Sequence, residues 1–471
     1  MTDPKAEEKA RWTFMVYMAA QNLLTNFAFE SLKRLKSAAG DGIVVAAQLH
    51  ADMDREVRRY VFANPKLHQA TGELETIDVG EGRPLGGRNN DMGNVETLTE
   101  FLNWVADSPE CAAERYCLVL WSEGPFFEDT RVVKEKKRTS QLMPADLEKA
   151  LSRAKLLESR KLELIVMDAC CVSMLEIAVE LRNSAAFMIA SQEEVPDLSF
   201  PYSSMLQHFR DSKDLPEICE AVAKDYEAAY RRYISNEDTE MRKVTLSGLQ
   251  LKETSSLTRP LKDLSSALLS VAADEELSKE IIDARASTKD FSAGLYVDLY
   301  DFCEQLMKSK ELQAVRSLTV ACDGILKAIG TPDKSKFVVA NRASGEERCH
   351  GISLYMPYAT NADEEEWRRA RSEQLVKGGL GGLDVPLKLH VNRFETIERE
   401  YGSLRLSEDS KWNEFIAHGW SRCLAVQARI KASSSGISDE LDKRYSAQQC
   451  ALNLLSLCEK LEKGRAIAAA G

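Results

Sequence analysis

The sequence predicts an α/β fold in which a mainly parallel β-sheet is sandwiched by helices. Four short apolar runs, rich in Val, Ile, Leu and aromatic residues, have the composition of strands that are covered on both faces. Segments with helical spacing of apolar residues alternate with them, and such alternation builds parallel sheets whose functional residues gather at the carboxyl ends of the strands. The four runs are WTFMVYMAA (12–20), GIVVAAQL (42–49), RYCLVLWS (115–122) and LELIVMDA (162–169).

Two helices are predicted between these strands. In NVETLTEFLNWVAD (94–107), Asn94 stands at the N-cap position, Glu96 lies in the first turn, and apolar residues recur on one face. PADLEKALSRAK (144–155) begins with Pro144, which suits a first helical position because no backbone N–H is needed there. Later segments predict the helices 215–234 and 296–308, the strands VTLSGLQL (244–251) and GISLYMP (351–357), and two amphipathic helices from about 405 onward, joined by the linker ASSSGISDE (432–440).

Composition limits the classes of partner. The chain has 471 residues, which suggests two or three domains, and its formal net charge of -12 argues against nucleic acid or an anionic membrane as the main partner. No apolar run approaches the roughly 18 residues that a spanning helix needs. The start of the sequence has no signal-peptide pattern, and the eleven cysteines lack CxxC spacing. We therefore expect reduced thiols, a cytoplasmic location of bacterial type, and a protein or peptide partner.

Two of the predicted strands end in residues that are capable of chemistry. One runs into a turn that carries Glu123, and the other runs into Cys170 and Cys171. A cysteine nucleophile needs a thiolate, which a histidine brought close by the fold normally provides. Cys170 lies between a strand and a helical segment, where backbone N–H groups could serve an oxyanion. The alternative is a small core residue, because cysteine is among the most buried residue types; for Cys171, packing beneath the strand is the favoured interpretation.

Together these stretches resemble the clostripain family of cysteine endopeptidases, which have a caspase-like fold. The resemblance implies a caspase-like peptidase core over 11–245, the C-terminal part of the clostripain-like region over 246–404, and a helical extension over 405–471. The stretches that carry it stand in the family's order and cover most of 11–360: WTFMVYMAAQNLL (12–24), VVAAQLHADMDREVRRYVF (44–62), DMGNVETLTEFLNWV (91–105), RYCLVLWSEG (115–124), LELIVMDACCVSMLEIAVELRN (162–183), FMIASQEEVPDLSFPY (187–202), VDLYDF (297–302) and HGISLYMP (350–357).

The resemblance also assigns roles to single residues. In the family the turn after the third core strand reads Trp-Ser-His-Gly, and its histidine is the catalytic base. Here the turn reads WSEG, so Glu123 occupies the histidine position while Cys170 keeps the nucleophile position. Because the family cleaves after Arg or Lys, the resemblance implies that Asp168 lines a pocket for a basic residue, with Asp197 as a second candidate. No cofactor is expected; the resemblance leaves open whether calcium assists, as it does in some relatives.

Two functions follow from the missing histidine. The first is a pseudo-peptidase that acts as a regulator, a scaffold or a proteolytic target of an active relative. The second is a working endopeptidase in which His50 or His350 swings in as the base; the other histidines, His68, His208, His390 and His418, lie outside the motifs. A small-molecule hydrolase has little support because the sequence contains no GxSxG, no HExxH and no glycine-rich phosphate loop.

A basic run follows the WSEG turn. The segment 128–147 connects a strand to the next helix, and family members are matured by cleavage after basic residues in this connection. We predict a protease-sensitive processing loop that an active caspase-like peptidase recognises. The alternative is a solvated surface loop, which charge runs usually are. The candidate cleavage residues are Lys134, Lys136, Lys137 and Arg138.

Overall fold

The structure is a computed structural model, and two compact units make up the chain. The first comprises Met1–Thr254 together with Ile329–Ser353, and the second comprises Ser255–Ala328 together with Leu354–Gly471. The three-part division predicted from the sequence stays a prediction. The structure describes residues 9–20, 25–51, 57–63, 83–84, 91–122, 142–211, 214–234, 243–292, 294–330, 335–357, 401–424 and 426.

A nine-stranded sheet forms the centre of the first unit. Its strand order is β11-β8-β7-β6-β5-β1-β2-β3-β4, and the five strands from β7 to β2 run parallel. The strands β8 and β11 on one side, and β3 and β4 on the other, pair antiparallel to their neighbours. The strands are β1 (Ala10–Ala20), β2 (Ile43–Ala51), β3 (Arg58–Phe62), β4 (Arg83–Pro84), β5 (Ala113–Trp121), β6 (Leu162–Asp168), β7 (Ala185–Ala190), β8 (Val244–Gln250) and β11 (Val338–Ser344).

The central strands are buried along most of their length, as the continuous apolar runs predicted. Every residue of β2 is buried, and β5 and β6 are buried from Tyr116 and Leu164 to their carboxyl ends. Helices cover the faces of such a sheet, because a strand that is apolar on both sides needs cover on both sides. The helices of this unit are α1 (Thr25–Ala38), α2 (Val95–Asp107), α3 (Pro144–Ser152), α4 (Leu175–Leu181), α5 (Tyr202–Asp211) and α6 (Leu215–Ile234), with short 3₁₀ turns at Pro109–Cys111, Lys155–Leu157 and Leu251–Glu253.

The helix ends follow the sequence signals. The side chain of Asn94 accepts a hydrogen bond from the Glu96 N–H (2.8 Å) and so caps α2, and Pro144 opens α3 as its first residue. These contacts confirm the two helices predicted between the strands.

The second unit is mostly helical and contains a three-stranded sheet of order β12-β10-β9. The predicted helix 296–308 begins three residues later than expected, because Tyr296–Asp298 forms a strand and Asp298 caps the helix, and it ends two residues earlier, at Leu306. The elements are α7 (Ser255–Val271), α8 (Glu275–Ser287), β9 (Asp290–Phe291), β10 (Tyr296–Asp298), α9 (Leu299–Leu306), α10 (Lys310–Gln313), α11 (Arg316–Ile329), β12 (Ser353–Tyr355), α12 (Arg405–Ser410), α13 (Trp412–Glu414) and a π-helical turn (Phe415–Trp420).

The first predicted C-terminal helix is interrupted. Lys411 adopts a left-handed backbone (φ 56°) between α12 and α13, so the segment turns where a continuous helix was expected. Trp412 and Trp420 fix the segment, because their indole N–H groups donate to the carbonyls of Tyr355 (2.7 Å) and Pro357 (2.8 Å). The second predicted C-terminal helix and the linker 432–440 lie outside the described residues.

Candidate active site at the carboxyl ends of β5 and β6

The two strand ends singled out by the sequence are neighbours in the sheet. Trp121 of β5 stands opposite Asp168 of β6, and the Ser122 N–H donates to the Asp168 carbonyl (3.1 Å). The chain therefore leaves β5 beside the start of the turn that carries Cys170. Glu123 itself, one residue further on, lies outside the described residues.

Cys170 is accessible and its sulfur has a backbone donor. Of the nine cysteines in the part of the chain that the structure describes, it is the one that is half-buried, and the other eight are buried. The Val195 N–H donates to the Cys170 sulfur at 3.3 Å. Such a donor stabilises a thiolate, because a hydrogen bond to the charged form favours that form. The thiol itself donates to the Val195 carbonyl at the longer distance of 3.8 Å, which favours the neutral form less strongly. Cys170 is therefore no ordinary core residue.

Cys171 is held in a different environment from its neighbour. Its backbone is left-handed (φ 53°), its N–H donates to the Glu193 carbonyl (3.1 Å), and its side chain is 3% exposed. The turn thus sends two consecutive thiols to different places, one towards solvent and one into the packed interior. This agrees with the predicted packing role of Cys171.

Asp168 is buried beneath this turn, and its carboxylate is occupied by the protein itself. The Ser199 hydroxyl donates to Oδ2, and so does the Tyr202 hydroxyl (2.5 Å). Burial raises the pKa of Asp168 to about 6, and hydrogen bonds from Ser199, Tyr202 and the Phe200 backbone, with the charge of Arg34, oppose that rise. The predicted contact with a basic substrate residue stays a prediction; Asp168 is 3% exposed.

The partners of Asp168 belong to one segment, Val195–Tyr202, which we name the anchor loop. Ser199 has a left-handed backbone (φ 62°), and its N–H donates to the Pro196 carbonyl (2.7 Å) to close a tight turn. The Trp121 indole N–H donates to the Ser199 hydroxyl (3.1 Å), and the Tyr230 hydroxyl donates to the Ser199 carbonyl (2.6 Å).

Arg34 also contacts the anchor loop. The Arg34 guanidinium donates to the Leu198 carbonyl (2.6 Å). The second pocket candidate, Asp197, also lies on the loop and is exposed.

The two histidines proposed as a substitute base lie at different places in the first unit. His50 is buried in β2, and three strand spacings, about 14 Å at ~4.8 Å each, separate β2 from β6. His350 is half-buried and precedes Gly351, whose N–H donates to the Gln192 side chain (2.8 Å) and whose carbonyl accepts from the Ser173 hydroxyl (2.7 Å). The His350 backbone therefore lies near the turn that follows Cys170.

Sequence reasoning missed Val195, Ser199 and Tyr202. Their roles depend on tertiary contacts between a loop and strands far away in the sequence, and no local spacing signals such contacts. The processing-loop residues Lys134, Lys136, Lys137 and Arg138 lie outside the described residues.

The described residues do not suggest a metal site. Within them, no three side chains of His, Cys, Asp or Glu lie together in a way that could hold a metal ion. The Asp168 carboxylate, two residues before Cys170, already accepts from two hydroxyl donors. We therefore assign no residue of this site to calcium.

Comparison with known proteins identifies the class. The chain matches the clostripain family, peptidase C11, over residues 16–420. An inactive zymogen C11 protease from Parabacteroides distasonis is 17% identical, with a TM-score of 0.52, covering 86% of this chain and 99% of that chain. A secreted C11 cysteine protease from Bacteroides thetaiotaomicron, called iotapain, is 16% identical, with a TM-score of 0.50, covering 76% and 97%. No curated protein matches the chain.

The fold and the site together define the class of a caspase-like cysteine peptidase: a large, mainly parallel sheet with a cysteine beyond the carboxyl end of a central strand. At such low identities the solved structures support the fold, and the family match supplies the relationship. Because that match spans most of the sequence, the chain belongs to the clostripain family.

Proposed function

We propose that this member of the clostripain family is a pseudo-peptidase that acts as a regulator, a scaffold or a proteolytic target of an active relative. The observation that carries the proposal is the WSEG turn, in which a glutamate stands at the position of the family's catalytic histidine. The backbone of that turn begins at Ser122, hydrogen-bonded to Asp168, two residues before the Cys170 thiol.

A carboxylate is a poor base for a thiol. The ordinary pKa values are about 4.3 for glutamate and about 8.5 for cysteine, so the proton transfer is uphill by about 6 kcal/mol. A nearby anion also disfavours the thiolate, whereas the imidazolium of a cysteine–histidine pair stabilises it. Both effects oppose catalysis and leave peptide binding untouched.

The second candidate is a working endopeptidase that cleaves after Arg or Lys with an altered dyad. It is supported by the half-buried Cys170 and by the Val195 N–H that faces its sulfur, both of which an enzyme would need. Asp168 and Asp197 remain the proposed pocket acids for the basic residue of a peptide or protein substrate, in either candidate.

Four variants at Glu123 and Cys170 separate the candidates in an assay with Arg- and Lys-containing peptides. We expect negligible cleavage by the wild type and by Glu123→Gln, and a rate roughly 10²–10⁴-fold higher in Glu123→His, which is the range that a general base contributes. Glu123→Gln is the matched control, because it removes the charge without supplying a base. Adding Cys170→Ser to Glu123→His should abolish the gain. Strong wild-type turnover that Cys170→Ser abolishes would establish the endopeptidase instead.

The pseudo-peptidase proposal includes cleavage by an active relative within the basic run. Lys134, Lys136, Lys137 and Arg138 provide the sites, and the run joins β5 to α3. A cut there breaks the chain between β5 and β6. The two strands stay hydrogen-bonded to each other over Cys117–Trp121 and Leu164–Asp168. After incubation with an active clostripain-like peptidase, we expect two fragments, about one third and two thirds of the chain, that co-elute. A first cleavage elsewhere would contradict the processing-loop hypothesis and favour a solvated surface loop.

The location and the calcium dependence are also proposals. No helix among the described residues is long and apolar enough to cross a membrane. A cytoplasmic location rests on the composition, and cell fractionation that finds the protein outside the cell would refute it. A calcium role rests on family resemblance alone, and a melting temperature that does not change with added calcium would refute it.

A further inference from the structure

The contact between the Cys170 sulfur and the Val195 N–H depends on backbone conformation. Val195 contributes its main chain, so its own side chain does not decide whether the N–H points at the sulfur. What decides it is the course of the anchor loop, Val195–Tyr202, of which Val195 is the first residue. The question is therefore what holds that loop.

The loop is held at Ser199. Its left-handed backbone costs about 1–2 kcal/mol for a residue with a side chain, so surrounding contacts have to stabilise it. Four contacts do so: its hydroxyl bonds Asp168 and the Trp121 indole, its carbonyl bonds Tyr230, and its N–H bonds the Pro196 carbonyl. Pro196 directly follows Val195, so the turn that Ser199 closes also fixes the thiol's donor.

Asp168 is hydrogen-bonded to this loop at two points. It accepts from Ser199 in the middle of the loop and from Tyr202 at its end. Cys170, two residues further along the same chain, contacts the loop's beginning. Asp168 and Cys170 therefore contact the loop at three places. The two contacts of Asp168 fix the loop conformation on which the contact between Val195 and Cys170 depends.

We propose that Asp168 is a positioning residue, which holds the anchor loop so that the Val195 N–H donates to the Cys170 sulfur. The role concerns the state of the thiol. It goes beyond the proposed function and holds whether or not the chain cleaves peptides.

Loss of positioning and loss of negative charge change the reactivity of Cys170 in opposite directions. Removing a nearby negative charge favours a thiolate, so Asp168→Asn would make Cys170 more reactive if charge were its whole contribution. Releasing the loop removes a hydrogen bond from the thiolate, which makes Cys170 less reactive. Ser199→Ala releases the loop without changing any charge, and so it isolates the second effect.

The experiment measures alkylation of Cys170 by iodoacetamide as a function of pH. Because Cys171 lies in the same peptide, fragment-ion mass spectrometry assigns the modified residue. The pH midpoint of the rate reports the stability of the thiolate, and the plateau at high pH reports access of the reagent. The control is Glu194→Gln, since Glu194 is exposed and adjoins Val195, and this change removes a charge without touching Ser199.

We expect Asp168→Asn and Ser199→Ala both to raise the midpoint by about one pH unit, which slows alkylation about tenfold below the midpoint. Glu194→Gln removes a charge and leaves the loop in place, so it should not raise the midpoint. A lowered midpoint in Asp168→Asn together with an unchanged one in Ser199→Ala would overturn the proposal. If Asp168→Asn does not fold, as judged by circular dichroism, Ser199→Ala and Tyr202→Phe decide it: unchanged midpoints in both overturn the proposal.

Discussion

Replacing Asp168 by asparagine should change how the stability of the protein depends on pH. The carboxyl group is buried, and burial raises its pKa from 3.8 to about 6 in the folded protein. In the unfolded chain the group has its ordinary pKa. Between pH 4 and pH 6 the folded state therefore keeps a proton that the unfolded state has lost.

The sign follows from this difference in bound protons. Stability falls with rising pH wherever the folded state binds more protons, so Asp168 lowers the free energy of unfolding as the pH rises through this window. A shift of about two pKa units corresponds to about 3 kcal/mol. Asparagine does not titrate. The stability of the wild type minus that of Asp168→Asn should therefore fall by up to about 3 kcal/mol between pH 4 and pH 7.

Urea unfolding followed by tryptophan fluorescence at several pH values measures this difference. The comparison variant is Asp197→Asn, because Asp197 lies on the same loop but is exposed. A wild-type advantage over Asp168→Asn that grows with pH would show that the folded state prefers the carboxylate. It would refute the argument that burial outweighs the hydrogen bonds of Ser199 and Tyr202.

Two further variants, one in each unit, test the packing and the buried hydrogen bonds. Gly248→Ala should lower the free energy of unfolding by about 1–3 kcal/mol, because the new Cβ would stand 2.5 Å from the Cys219 Cβ; an unchanged urea midpoint would contradict this contact. Arg285→Met should cost about 2–5 kcal/mol, since the buried guanidinium donates to the carbonyls of Met356 (2.9 Å) and Gly294 (2.7 Å), which would lose their donor. Arg259→Met, at an exposed arginine, is its control, and equal midpoints for the two variants would refute the prediction.

The central strands and their helices could be predicted because their signals are local. β2 reads as an apolar run since it is covered on both faces, and α2 begins where Asn94 provides a cap. The start of α9 was misplaced by three residues: Tyr296 and Val297 continue an apolar pattern, but they belong to a strand, and the helix begins at Leu299 after its cap Asp298. Pattern alone does not separate these states over so short a segment.

The site could be predicted in part. Cys170 could be singled out because a cysteine directly after a predicted strand is a local feature of the sequence, and it is half-buried in the turn after β6. The anchor loop was not found, since Ser199 reaches Asp168 across 31 positions and Val195 reaches Cys170 across 25. The pairing of β11 with β8 at the sheet edge could not be predicted either, because the chain between these two strands runs through the second unit.

The backbone at the end of β5 does not depend on which side chain follows at position 123. The backbone approaching position 123 is fixed by main-chain bonds: β5 pairs with β6 up to Trp121, and the Ser122 N–H donates to the Asp168 carbonyl. None of these bonds uses a side chain at position 123, so a glutamate there leaves them intact. The anchor loop and the thiol contact are likewise built from Asp168, Ser199 and Val195. The main-chain bonds at the end of β5 are thus independent of the side chain at position 123. Glu123→His therefore tests the effect of a base at this position against an unchanged backbone approach.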